Sequence, residues 1–125
     1  MKRTSVWFEI YVNDITRAVT FYETVFDTKL EPLGNPNDSS MKMMSFGSSM
    51  EQYGSGGALV WMEGVKAGPG GTIVYFGSDD CAIEEARVLG AGGQVVKSKM
   101  SISEYGFISL CHDTEGNTFG IHSMK

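Results

Sequence analysis

The chain has 125 residues, 42% hydrophobic and 20% charged, with a formal net charge of −5, the size and composition of one globular domain. Lys and Arg are scattered rather than gathered into a stripe, which argues against nucleic acid as a partner, and no apolar run reaches the ~20 residues that a bilayer requires. Glu9 interrupts the N-terminal "MKRTSVWFEIYV" where an export signal needs unbroken apolarity, and Cys81 and Cys111 have neither metal-ligand nor disulfide-scaffold spacing, so a cytoplasmic protein with reduced thiols is expected.

In chain order, "VWFEIYV" (6–12) reads as a strand by its β-branched and aromatic content, with Phe8, Ile10 and Val12 on one face and Trp7, Glu9 and Tyr11 on the other. Asn13 or Asp14 then caps an amphipathic helix in which Ile15, Ala18, Val19, Tyr22 and Phe26 recur at helical spacing. Three strand candidates follow, "TKLEPL", "MKMMSF" and "ALVWME", the first two separated by a polar stretch (34–40) that predicts a mobile loop. Glycine clusters at 54–57, 68–71 and 90–93 mark turns.

The second half repeats the plan. "IVYFGSDD" (73–80) aligns with "WFEIYVND" (7–14), "CAIEEARVLGAGG" stands where the first helix stood, and "QVV", "FISLC" and "TFGIH" supply three more strands. The unit is βαβββ and occurs twice, over about 5–64 and 71–125, which predicts one α+β domain spanning 1–125 rather than a solenoid. The two-residue strand period puts Phe8, Ile10, Val12, Val74, Phe76, Phe119 and Ile121 under the helices. Trp7, Glu9, Tyr11, Ile73, Tyr75, Thr118, Gly120 and His122 then line the opposite, concave face. "ALVWM" is apolar on both faces, and its alignment with "TFGIH" puts Ala58, Val60 and Met62 on the concave side.

The segments "FEIYVNDITRAVTFYETVF", "GTIVYFGSDD" and "EYGFISLCHDTEGNTFGIHS", in that order, resemble the vicinal oxygen chelate superfamily, which includes glyoxalase I, extradiol dioxygenases, fosfomycin resistance proteins and bleomycin-binding proteins. The resemblance implies paired modules curling into a half-open, mixed-sheet barrel around a cleft, often completed by a second subunit, so a homodimer is expected. It also implies a divalent metal held by side chains on the first and last strands of each module. Carried across, those positions fall on Trp7, near Val60, on Ile73 and on Gly120. None of these offers the carboxylate oxygen or imidazole nitrogen that such a metal needs. The expectation is therefore no metal and no other cofactor.

Two polar residues keep the concave direction one pleat beyond the lost positions, Glu9 and His122. They form a candidate acid–base pair, the carboxylate orienting the ring and raising its pKa; the alternative is a structural pair filling a polar gap. Trp7 and Tyr75 are candidate ligand-binding aromatics, with packing between modules as the alternative, and Tyr105 is a third candidate at the groove mouth. Met41, Met43, Met44 and Met50 are adaptable groove or core residues, and His112 reads as a turn-supporting histidine. No nucleophile elbow, phosphate loop or dinucleotide fingerprint occurs.

The expected function is small-molecule binding in the cleft, with Glu9/His122 chemistry of a lyase or isomerase type left open. The alternatives are a ligand-sequestering protein without chemistry and a metal-dependent lyase or dioxygenase with displaced ligands.

Overall fold

Asp14 starts the first helix because its carboxylate accepts the N–H of Arg17 (3.1 Å) while its own backbone is extended. Asp27 ends the helix in the left-handed conformation at φ 49°. The computed structural model describes residues 7–34, 39–47, 55–70 and 72–125. In chain order the elements are β1 (Trp7–Tyr11), α1 (Ile15–Phe26), β2 (Glu31–Leu33), β3 (Met41–Gly47), β4 (Gly56–Met62), β5 (Val74–Gly77), α2 (Cys81–Val88), β6 (Gln94–Ser101), a 3-10 turn (Ser103–Tyr105), β7 (Phe107–His112) and β8 (Thr118–Ser123).

The strands form two mixed four-stranded sheets of identical plan, β1-β4-β3-β2 and β5-β8-β7-β6. In each, the first strand pairs parallel with the fourth and the rest pair antiparallel. Among the described residues no ladder joins the sheets, so the α+β, half-open arrangement is present and no barrel closes. Part of the loop expected at 34–40, and Met50 with it, lie outside the described residues.

Within "CAIEEARVLGAGG" only Cys81–Val88 is helical, and the glycine cluster at 90–93 is the expected turn, in which Gly92 takes φ 101°. One element differs from the sequence expectation: β6 extends from Gln94 through Ser101, well past "QVV". As an edge strand, mostly exposed and bearing Lys97 and Lys99, it lacks the apolar alternation by which strands are read.

The helix-facing sides of both sheets make a single core, with Ile10, Val12, Leu59, Phe119 and Ile121 buried against Ala18, Phe21, Tyr22 and Val25 of α1 and Cys81 and Val88 of α2. Aromatic rings carry it across the module boundary. Tyr22 of α1 lies 5.5 Å from Phe46 and 5.6 Å from Phe119, and Phe26 lies 4.6 Å from Phe76, centroid to centroid. Val12 and Ile121 are fully buried, as the strand period required.

The turn between β7 and β8, "DTEGN", is the polar link between modules. The buried Glu115 carboxylate accepts the N–H groups of Asn13 (3.0 Å) and Asp14 (2.9 Å) at the start of α1, and two guanidinium bonds from Arg17 at 2.7 and 2.9 Å. Asp113 beside it accepts the Tyr22 hydroxyl at 2.7 Å and the N–H groups of Glu115 and Asn117. Burial and the Asp113 charge and hydrogen bond together push the Tyr22 phenol well above its usual range.

Burial opposes the Glu115 charge, but Arg17, the Thr114 hydroxyl and the two N–H groups outweigh it and lower its pKa from 4.5 to about 2. A carboxyl depressed on folding stabilises fully above its unfolded pKa and loses that contribution as pH falls through the folded value. Urea denaturation should therefore show stability falling between pH 4.5 and about 2. Glu115→Gln should lower neutral-pH stability by about 2 kcal/mol and remove this part of the acid dependence.

Candidate functional site

On the concave side the ladders set residues out in rows. Glu9, Ala58 and Ser45 form one, and Tyr11, Val60 and Met43 the next. The parity expected for β4 therefore holds, since Ala58 and Val60 share the Glu9 face while Leu59 and Trp61 pack into the core. Yet Ala58 and Val60 are buried, because β4 is an interior strand whose small side chains lie between longer neighbours on β1 and β3. Met43 belongs to this face, whereas Met44 packs against the core.

The exposed feature of the first module is on β1. The Glu9 carboxylate accepts the Trp7 indole N–H on one oxygen (3.2 Å) and the Tyr11 hydroxyl on the other (2.9 Å). The W-x-E-x-Y spacing creates this clamp, because residues two apart on a strand share a face. Tyr11 is the member that sequence reasoning placed on the face without assigning a role. Its pKa is raised by the hydrogen bond to Glu9, then by burial and the Glu9 charge.

In the second module the matching row is Tyr75, Gly120 and Leu110. A Cβ on Gly120 would lie 2.3 Å from the Tyr75 ring, so the ring lies directly against the glycine backbone, while Tyr75 as a whole remains 47% exposed. The position that would carry the final metal ligand is thus roofed by an aromatic ring. Register pairs Glu9 with Ala58 and Tyr75 with Gly120, so the first-module counterpart of Gly120 is Ala58 rather than Val60.

His122 pairs in register with Gly77 and Ile108, and its Nε2 lies 2.7 Å from the carbonyl oxygen of Tyr105. A carbonyl only accepts, so Nε2 is the donor in this contact. Tyr105 is the end of the 3-10 turn, with its side chain largely in solvent, so it meets His122 through its backbone. No hydrogen bond or ion pair joins Glu9 to His122; each is engaged elsewhere. His112, beside the β7–β8 turn, pairs in register with Thr118.

Between the facing edges of β1 and β5 lies a slot of about 260 Å³, lined by Glu9 and Tyr11 on one side, Thr72, Val74 and Thr118 on the other, and Lys66 in the segment joining the modules. The buried Tyr22 also contributes to its wall. Sequence reasoning missed Lys66 and Thr72, because they lie outside the strands on which the parity argument rests.

The side chains at the positions that the resemblance assigns to metal ligands offer no carboxylate or imidazole. Trp7 is a donor already committed to Glu9, Ala58 and Val60 are buried hydrocarbon, Ile73 is hydrocarbon, and Gly120 lies against a ring. Among the described residues no three of His, Cys, Asp and Glu converge on one point.

Residues 4–31 match the family model for the bleomycin resistance protein-like N-terminal segment. No curated protein sequence matches the chain. Its fold is similar to glyoxalase I from Zea mays, at 18% identity and TM-score 0.72 over 98% of this chain and 48% of that one, so the chain spans less than half of the plant protein. It is also similar to a glyoxalase/bleomycin resistance protein/dioxygenase family enzyme from Burkholderia phytofirmans PsJN, at 15% identity and TM-score 0.68, covering 95% of this chain and 97% of that one. A glyoxalase/bleomycin resistance protein from Albidiferax ferrireducens T118 aligns at 17% identity and TM-score 0.66, over 97% and 98% of the two chains. The fold is thus that of glyoxalase/bleomycin resistance-like proteins, and the first βα unit carries the sequence match to the bleomycin resistance protein-like N-terminal segment.

Proposed function

We propose that the protein binds a small organic molecule in its concave groove without a metal at the superfamily positions. The observation that carries this reading is the Tyr75 ring lying against Gly120, which presents an apolar platform where a metal ligand would project. Trp7, half-buried on the other module, presents a second aromatic surface with its N–H turned to Glu9. Binding without chemistry, as in a sequestering protein, is the form these contacts favour, because Glu9 and His122 do not engage each other.

A second reading has one specific support. The Tyr105 carbonyl accepts from His122 Nε2 and so orients the ring, which suits a single general base acting without Glu9. A lyase- or isomerase-type proton transfer would then run through His122. The metal-dependent alternative with displaced ligands would need three protein donors around one ion.

A second copy of the chain closing the groove belongs to the same reading. Ile73, Tyr75 and Tyr105 are large side chains left exposed around it. A cytoplasmic setting suits two buried, free cysteines.

Thermal-shift screening of small organic compounds should yield ligands whose affinity drops about tenfold in Trp7→Ala and in Tyr75→Ala; unchanged affinity in both variants would remove the groove reading. His122→Asn should leave that affinity intact and abolish any turnover, whereas turnover persisting in it would exclude the general-base reading. Elemental analysis after chelator-free purification should find less than one divalent ion per chain, and a stoichiometric ion would overturn the metal-free claim. Sedimentation should give twice the monomer mass.

A further inference from the structure

The slot between β1 and β5 carries two opposite charges, neither of which has an ion-pair partner among the described residues. Glu9 accepts hydrogen bonds only from neutral groups, Trp7 and Tyr11, so its full charge remains. Lys66 lines the same slot and has no hydrogen-bond or ion-pair partner among the described residues, whose ion pairs are Arg17–Glu115 and Lys99–Asp80. The two charges therefore stand beyond ion-pair distance from each other across one small space.

Both are mounted on ordered backbone. Glu9 is on a strand and clamped on either side. Next to Lys66, the Ala67 N–H donates to the Asn13 side chain at 3.0 Å and the Gly68 N–H to the Asn117 side chain at 2.9 Å. Asn117 in turn donates to the Tyr11 carbonyl at 2.8 Å, which ties the connecting segment to β1. Thr72 and Thr118 also line the slot.

We infer that this slot takes a small zwitterion, its ammonium on Glu9 and its carboxylate or comparable anion on Lys66. The inference rests on the groove being a ligand site and names the class of ligand. A purely cationic molecule is repelled by Lys66 and a purely anionic one by Glu9; a molecule bearing both charges meets a complement at each end. At about 260 Å³ the slot lies below the ~300–1,000 Å³ of sites for drug-sized ligands, which sets the occupant at the size of an amino acid.

The test is calorimetric titration of the 125-residue chain with glycine, γ-aminobutyrate and ε-aminocaproate, alongside the one-charge analogues n-butylamine and butyrate. At least one zwitterion should bind about tenfold or more tighter than either analogue. Glu9→Gln should abolish its advantage over butyrate, and Lys66→Met its advantage over n-butylamine. Both side chains are exposed, so the variants keep the fold. Equal binding of zwitterion and analogues, retention of the zwitterion's advantage in both variants, or no binding of any zwitterion overturns the inference. Failure of the groove reading shows separately, as compounds from the thermal-shift screen that bind equally well to wild type, Trp7→Ala and Tyr75→Ala.

Discussion

Glu115 is the constraint on which the geometry depends. It sits in a turn of the second module, is removed from solvent, and is satisfied almost entirely by the first module: two N–H groups at the start of α1 and the Arg17 guanidinium. A helix N-terminus and an arginine around one buried carboxylate form a strong, directional joint, because every lone pair is used and the charge has nowhere else to be solvated. Asp113 and Asn117 extend the joint to Tyr22 and to the edge of β1. These bonds tie the turn to the start of α1 and to β1, and Asn117 of the turn lines the slot.

Within that frame the two modules use one backbone plan for different chemistry. Glu9 and Tyr75 occupy matching positions, each beside a residue too small to contest the space, Ala58 or Gly120. In the first module the position holds a carboxylate braced by two aromatic donors. In the second it holds an aromatic ring lying on glycine, a contact that any Cβ at residue 120 would disrupt. The concave face is thus acidic and aromatic in one module and aromatic in the other.

Much of the fold was legible because it rests on periodicity. The burial of Ile10, Val12, Phe119 and Ile121, and the concave direction of Glu9, Tyr75 and His122, follow from the alternation of side chains along a strand. Edge strand β6 was legible only in part, since a strand exposed on both faces needs no apolar pattern. Of the site, the face was readable and the partners were not. Glu9 and His122 share a parity, but parity says nothing of distance between strands in different sheets, and each found a nearer partner.

The sequence by itself determined the repeated βαβββ plan and which residues lie beneath the helices, because these depend on residue type and on spacing within one element. The tertiary structure alone decided that Glu115 joins the modules, that Tyr75 covers Gly120, and that Lys66 and Glu9 line one slot. Those contacts unite residues about 40 to 100 positions apart or in different elements, and their geometry is set by how two sheets pack on a shared aromatic core rather than by any local pattern.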